Sequence, residues 1–151
     1  MDSFQKTITS PIGPLTLECS EQSITALRFG VSDVNDRHDL LEDAAAQLQE
    51  YFAGQRREFD LPLSPTGTAF QKSVWNALLS IPFGQTATYG EIACQINNPK
   101  ASRAVGIANN RNPLPIFIPC HRVIGANGQL TGYAGGLAIK EYLLKLESGS
   151  L

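Results

Sequence analysis

The chain has 151 residues, 42% hydrophobic and 17% charged, with a net charge of −2, a globular profile that fills one compact domain or two small ones. It holds no apolar run near the roughly 20 residues of a membrane helix, and the opening MDSFQKTITS lacks the basic and apolar regions of a secretory signal. The three cysteines, Cys19, Cys94 and Cys120, are far apart and without CxxC spacing, which argues against a disulfide framework and a structural zinc site and for a reducing, cytoplasmic setting.

The first part reads as strands. Residues 4–9, 14–19 and 23–29 are separated by Ser10-Pro11-Ile12-Gly13 and Ser20-Glu21-Gln22, a spacing that predicts an antiparallel meander. A helix is expected over 38–53, with Leu41, Ala44, Ala45, Leu48 and Phe52 on one face and Gly54 at its end. Residues 60–67 hold two prolines and a glycine and read as a linker, placing one domain over 1–64 and a second over 65–151.

The second part reads as mainly helical. Thr68 and Gln71 form a capping box for a helix over 69–79, and Thr88 and Glu91 form another for a helix over 89–95. A turn at 97–100 precedes a helix over 101–109, with Asn98 as its expected cap and Pro99 at its first position. Two short helices joined by a tight turn outline a helix-turn-helix. Its second helix presents Ala101, Ser102, Ala104, Gly106 and Ala108 around one long cation, Arg103. That face suits the minor groove or the base stack better than base-edge reading in the major groove. A last helix is expected over 137–147.

Charge is divided between the halves. Residues 1–69 carry five Lys and Arg against eleven Asp and Glu, whereas residues 70–151 carry seven against three. No acid lies between Glu91 and Glu141, a stretch that includes Lys100, Arg103, Arg111 and Arg122. The local balance permits an anionic partner at the C-terminal half. Inside that stretch lies IPCHRVIG at 118–125, in which one of only two histidines follows a cysteine. A thiol beside an imidazole invites nucleophilic chemistry, although free cysteine is often a small buried hydrophobe. A zinc deaminase would need PCxxC and HxE; position 123 is Val, and no HxE occurs. A cysteine hydrolase remains open on these residues, as does a DNA-binding protein with an incidental thiol.

The segments IPCHRVIG (118–125), TYGEIACQINNPKASRAVGIANNRNP (88–113), GTAFQKSVW (67–75) and GYAGGLAIKEYLL (132–144) resemble those of the O6-alkylguanine-DNA alkyltransferase family, also called methylated-DNA–protein-cysteine methyltransferases. The resemblance implies an α/β (α+β) architecture, with an N-terminal ribonuclease-H-like domain carrying a small antiparallel sheet. The C-terminal domain would be mainly helical, with a helix-turn-helix. It implies DNA repair by irreversible transfer of an alkyl group from O6-alkylguanine to the protein's own cysteine, with O4-alkylthymine as a second candidate substrate. A lesion-binding or regulatory protein of the same fold is the alternative.

Residue by residue, the resemblance makes Cys120 the nucleophile, with His121 and Glu147 linked through water to the thiol. Arg103 matches the finger that replaces a flipped-out nucleotide, and Tyr89 the residue that crowds the adjacent phosphate and helps protonate the leaving guanine. Gly90, Asn98, Lys100 and Ala104 fall on the DNA-binding surface. Asn112 matches the hinge that braces the active-site turn. Pro115, Val123, Tyr133, Ala134 and Gly135 match the walls of the guanine pocket. No cofactor is implied and no metal is expected, since only Cys19 and His38 are available as ligands in the N-terminal half. The expected partner is double-stranded DNA carrying alkylated bases, bound by a monomer in the cytoplasm of a prokaryote-like cell, without membrane attachment.

Overall fold

The computed structural model describes residues 2–151, and its backbone divides between Thr66 and Gly67 into two compact units. In the first, β1 (Phe4–Ile8), β2 (Leu15–Cys19) and β3 (Ile24–Phe29) form an antiparallel sheet in that order. Leu15, Leu17 and Cys19 alternate onto one face of β2, where they are fully buried with Ile24 and Leu27 of β3. On the other face Thr16 is also buried, and its hydroxyl donates to the Gly30 carbonyl at 2.8 Å, so the polar side chain is satisfied. Helix α1 (Asp39–Phe52) packs on this sheet through Leu41, Ala44, Ala45 and Leu48.

Two expectations change here. Tyr51, not Phe52, completes the buried face of α1, with its ring 5.4 Å from that of Phe59. Nor is the stretch 60–67 a free linker. Gln47, buried on α1, donates to the Asp60 carbonyl at 3.0 Å and accepts from the Asp60 amide at 2.9 Å. The Ile24 amide then donates to the Pro62 carbonyl (2.8 Å), and the Ser64 amide to the Ile24 carbonyl (2.9 Å). Leu63 thereby pairs in parallel with the first residue of β3. Proline and polar composition suggest a loop, but the open backbone groups of Ile24 at the edge of β3 pair with it in one isolated bridge.

The second unit holds α2 (Ala69–Leu78), β4 (Ala87–Thr88), α3 (Tyr89–Gln95), α4 (Ser102–Asn110), β5 (Val123–Ile124) and α5 (Leu137–Ser148). Both capping boxes are present: Thr68 accepts from the Gln71 amide and Thr88 from the Glu91 amide, and each N3 side chain returns the bond. Asn98 does not cap α4. Asn97 takes a left-handed conformation (φ 60°), and the Asn98 amide closes α3 by donating to the Ala93 carbonyl at 2.9 Å. Helix α4 therefore begins at Ser102, after Ala101, without a side-chain cap. The parallel pair β4–β5 was not anticipated. It joins Ala87 to Val123 and Thr88 to Ile124, and so ties the start of the helix-turn-helix to the residues that follow His121.

The core of this unit is built around Trp75, whose indole N–H donates to the Ala108 carbonyl at 2.8 Å and links α2 to α4. Val74, Leu78, Ile92, Val105, Leu114 and Leu143 are fully or almost fully buried in the same unit. Gly67 must lack a side chain, because a Cβ there would lie 2.4 Å from the Trp75 ring. No helix among the described residues is long and apolar enough to cross a membrane. Trp75→Ala is expected to destabilise the C-terminal unit by about 3–5 kcal/mol, read as a lowered midpoint in urea unfolding followed by circular dichroism.

Candidate active site

The residues of the IPCHRVIG segment are placed by the turn before them. Asn112 bridges it from within: its side-chain N–H donates to the Ile118 carbonyl at 2.8 Å, and its oxygen accepts from the Leu114 amide at 2.9 Å. Ile116 lies between these anchors with φ at 75°, a left-handed conformation costly for a β-branched residue. Burial of Leu114, Pro115, Ile116, Phe117 and Ile118 holds the strained turn closed. Cys120, His121 and Arg122 follow as one 3-10 turn, with the Cys120 carbonyl accepting from Asn109 Nδ2 at 3.2 Å. Cys120 is only 3% exposed.

The charges around this turn are all internal. His121, with no solvent exposure, bonds through Nε2 to Glu147 Oε2 at 2.7 Å. Arg122 grips the same carboxylate with two nitrogens, at 2.7 and 3.0 Å, and donates a third bond to the Ile81 carbonyl. Burial alone would push the Glu147 carboxyl up, but the bonds from His121 and Arg122 outweigh it and hold it near 2. Burial pushes His121 down, against the pull of Glu147, so the ring is neutral at pH 7. An ionised carboxylate can only accept, so the neutral ring carries its proton on Nε2. Nδ1, buried and without a hydrogen-bond partner among the described residues, is left with a lone pair.

Burial also dominates the Cys120 thiol and pushes it up to about 11. A hydrogen bond from Asn112, the charge of Lys140, the backbone and a hydrogen bond from Tyr133 act in the opposite direction. Lys140 is fully buried on α5, and its ammonium donates to the Val123 carbonyl at 2.5 Å and the Thr131 carbonyl at 3.1 Å. Burial pushes it down, while Cys120 pulls the other way. The site thus combines a neutral thiol, a neutral imidazole with an available lone pair, and one cation, Lys140, that favours the thiolate once it forms.

The structure brings Cys120, His121, Glu147, Asn112, Pro115, Val123 and Tyr133 into the buried interior of the C-terminal unit. Ala134 is exposed and Gly135 half-buried on the loop leading to α5. On the helix-turn-helix, Arg103 and Ala104 are exposed on α4, and Asn98 and Lys100 on the turn before it. Gly90 and Tyr89 are half-buried at the start of α3. The Tyr89 ring lies against Gly106, where a Cβ would sit 3.6 Å away, and its hydroxyl bonds to Thr131 Oγ1.

Sequence reasoning missed Lys140, Asn109 and Thr131 as parts of this region, and it misread Arg122. Counted among cations free to meet an external anion, Arg122 spends its charge on Glu147. The signal available was the absence of acids from 92 to 140: residues 70–151 hold only Glu91, Glu141 and Glu147 as candidate counter-ions for Arg122.

Comparison with known proteins agrees along the whole chain. Residues 4–65 match the family model for the ribonuclease-like domain of 6-O-methylguanine DNA methyltransferase, and residues 69–149 match that for its DNA binding domain. The methylated-DNA–protein-cysteine methyltransferase of Methanosarcina acetivorans is 57% identical over 91% of this chain and 94% of its own. The constitutive one of Bacillus subtilis is 46% identical over 96% and 95%. Among solved structures, Mycobacterium tuberculosis OGT in complex with DNA superposes with a TM-score of 0.90 at 50% identity, covering 97% of this chain and 94% of its own. With both family models matched in order and relatives about half identical across nearly the full length, the chain belongs to the 6-O-methylguanine DNA methyltransferase family.

Proposed function

We propose that this chain repairs DNA by direct damage reversal, moving the alkyl group of O6-alkylguanine onto Cys120 in a single irreversible turnover. The observation that carries the reading is a buried thiol followed in the chain by a neutral histidine whose free Nδ1 can take a proton. The partner is double-stranded DNA with an alkylated base, met by one chain acting as a monomer in the cytoplasm. The stretch from 92 to 140, free of acids, with Lys100, Arg103 and Arg111 exposed, supports an anionic partner on that face.

The chemistry follows from the geometry. The target atom is hidden inside a duplex, so the nucleotide is flipped out at a cost of a few kcal/mol. Arg103, long and exposed on a helix of small residues, fills the space left behind. His121 accepts the thiol proton, through water, at Nδ1, while Glu147 holds its tautomer. The sulfur attacks the saturated alkyl carbon in line, the carbon–oxygen bond breaks, and guanine leaves with the bonding pair. A proton from Tyr89 neutralises the departing base. The product is a thioether with no electrophilic carbonyl for water to attack, so the protein is consumed.

Three outcomes test this reading. Incubation with duplex DNA bearing O6-methylguanine should add one methyl group to the intact mass, mapped to Cys120, and Cys120→Ala should abolish transfer while retaining DNA binding. Several turnovers per chain, or label on Cys19 or Cys94, would overturn it. His121→Ala should slow transfer, and because the thiol ionises only near 11, the variant's rate should rise about tenfold per pH unit between pH 7 and 9. A loss of equal size at every pH would assign His121 a purely structural part. Arg103→Ala should strongly slow repair in duplex DNA but barely affect reaction with the free modified base, which needs no flipping. Equal losses on both substrates would rule out the finger role.

The same shifts fix a pH dependence of stability. The Glu147 carboxyl is depressed from 4.5 to about 2, so its contribution is complete above about 4.5 and is lost as pH falls towards 2. His121, also depressed, must charge on unfolding, so stability already weakens below about 6.5. Glu147→Gln should flatten the acid limb of an unfolding midpoint measured against pH.

A further inference from the structure

Among the described residues, Thr131 is held from two sides: its hydroxyl bonds to the Tyr89 hydroxyl and its carbonyl accepts from the buried Lys140 ammonium at 3.1 Å. Its neighbour Gly132 abuts α4, where a Cβ would sit 3.3 Å from Asn110 Nδ2. The Lys140 ammonium also binds the Val123 carbonyl, and Val123 pairs through β5 with β4, the residues just before Tyr89. A closed ring of contacts thus runs from Tyr89 through Thr131, Lys140 and Val123 back to Tyr89. The loop at 131 is fixed on both sides of the hydroxyl pair, so Thr131 meets Tyr89 in a set geometry.

Two hydroxyls that share one hydrogen bond leave one proton free. The Thr131 carbonyl is occupied by Lys140, and no other hydrogen bond is made by the Thr131 hydroxyl among the described residues. An electron-rich group arriving at Tyr89 draws the phenol proton outward, and the Thr131 proton then turns inward to the phenol oxygen. That bond also stabilises the negative charge left on the oxygen once its proton is passed on.

We infer that Thr131 is a positioning residue for the group-transfer step, acting through Tyr89 by donating a hydrogen bond to its phenol oxygen while keeping its own proton. The inference rests on the alkyl-transfer reading above. In the step itself the sulfur–carbon bond forms and the carbon–oxygen bond breaks. The phenol proton passes to the leaving guanine, the Thr131 hydrogen bond supports the phenolate, and solvent restores the phenol. A methyl group in place of the hydroxyl leaves the Tyr89 oxygen without that hydrogen bond once its proton has departed.

The test is a double-mutant cycle read by single-turnover methyl transfer from O6-methylguanine duplex, with duplex affinity measured separately. Thr131→Val should slow transfer about tenfold, a part of the 10²–10⁴ that general acid catalysis supplies, with affinity unchanged. Thr131→Ser, which keeps the hydroxyl, should restore the rate. In a Tyr89→Phe background, Thr131→Val should cost nothing more. A wild-type rate for Thr131→Val overturns the inference, as does equal loss in both backgrounds or a Thr131→Ser variant as slow as Thr131→Val. Absence of methyl on Cys120 in the wild-type arm would instead overturn the transfer reading, and with it this role, so the two failures are distinguishable.

Discussion

Glu147 is a carboxylate with almost no access to water, and its charge persists there because His121 and Arg122 both reach it. Removing a buried charge from water costs several kcal/mol, and only well-placed partners repay it. Here one partner is a full cation gripping two oxygens, which neutralises the carboxylate and allows the second partner to remain a neutral ring. Had Arg122 been absent, the cheapest answer to a buried carboxylate beside histidine would be an imidazolium, which has no lone pair to accept a proton. The arginine thus helps keep the histidine neutral, with its lone pair available, and the carboxylate is its partner rather than the sulfur.

The same low-polarity interior sets the state of Cys120. Burial pushes the thiol to about 11, so the resting protein holds very little thiolate, and a base is needed at the moment of reaction. A neutral resting thiol is also poorly reactive towards stray electrophiles and oxidants, because those reactions proceed through the thiolate. Reactivity depends on a proton acceptor in the site, with Lys140 favouring the anion after it forms.

Much of the fold was legible because its signals are local. The two capping boxes sit within four residues each, and the meander of β1 to β3 announced itself through alternation and turn residues. Family resemblance set His121 beside Glu147, and the two side chains do meet, at 2.7 Å. What escaped depends on distance along the chain. Arg122 meets Glu147 across 25 residues, Asn109 meets Cys120 across 11 and Tyr89 meets Thr131 across 42, and no local pattern encodes such pairs. Asn98 failed as a helix cap because the turn closing α3 runs on through it and α4 starts only at Ser102, which puts Ala101 at the cap position. The two-residue strands β4 and β5 are too short for any periodicity to reveal.

The pairing of Leu63 with Ile24 has a meaning for association between copies. A sheet edge with unpaired amides and carbonyls is a template for any passing strand, and residues 62–64 cover the start of β3 with backbone from the same chain. That segment is tethered by few bonds, chiefly those of Ile24 and Gln47. A fragment cut before Pro62 would present Ile24 bare, and its easiest replacement partner would be the same edge of another molecule. The segment at 62–64, inside the first unit, therefore closes the start of that edge with backbone of the same chain.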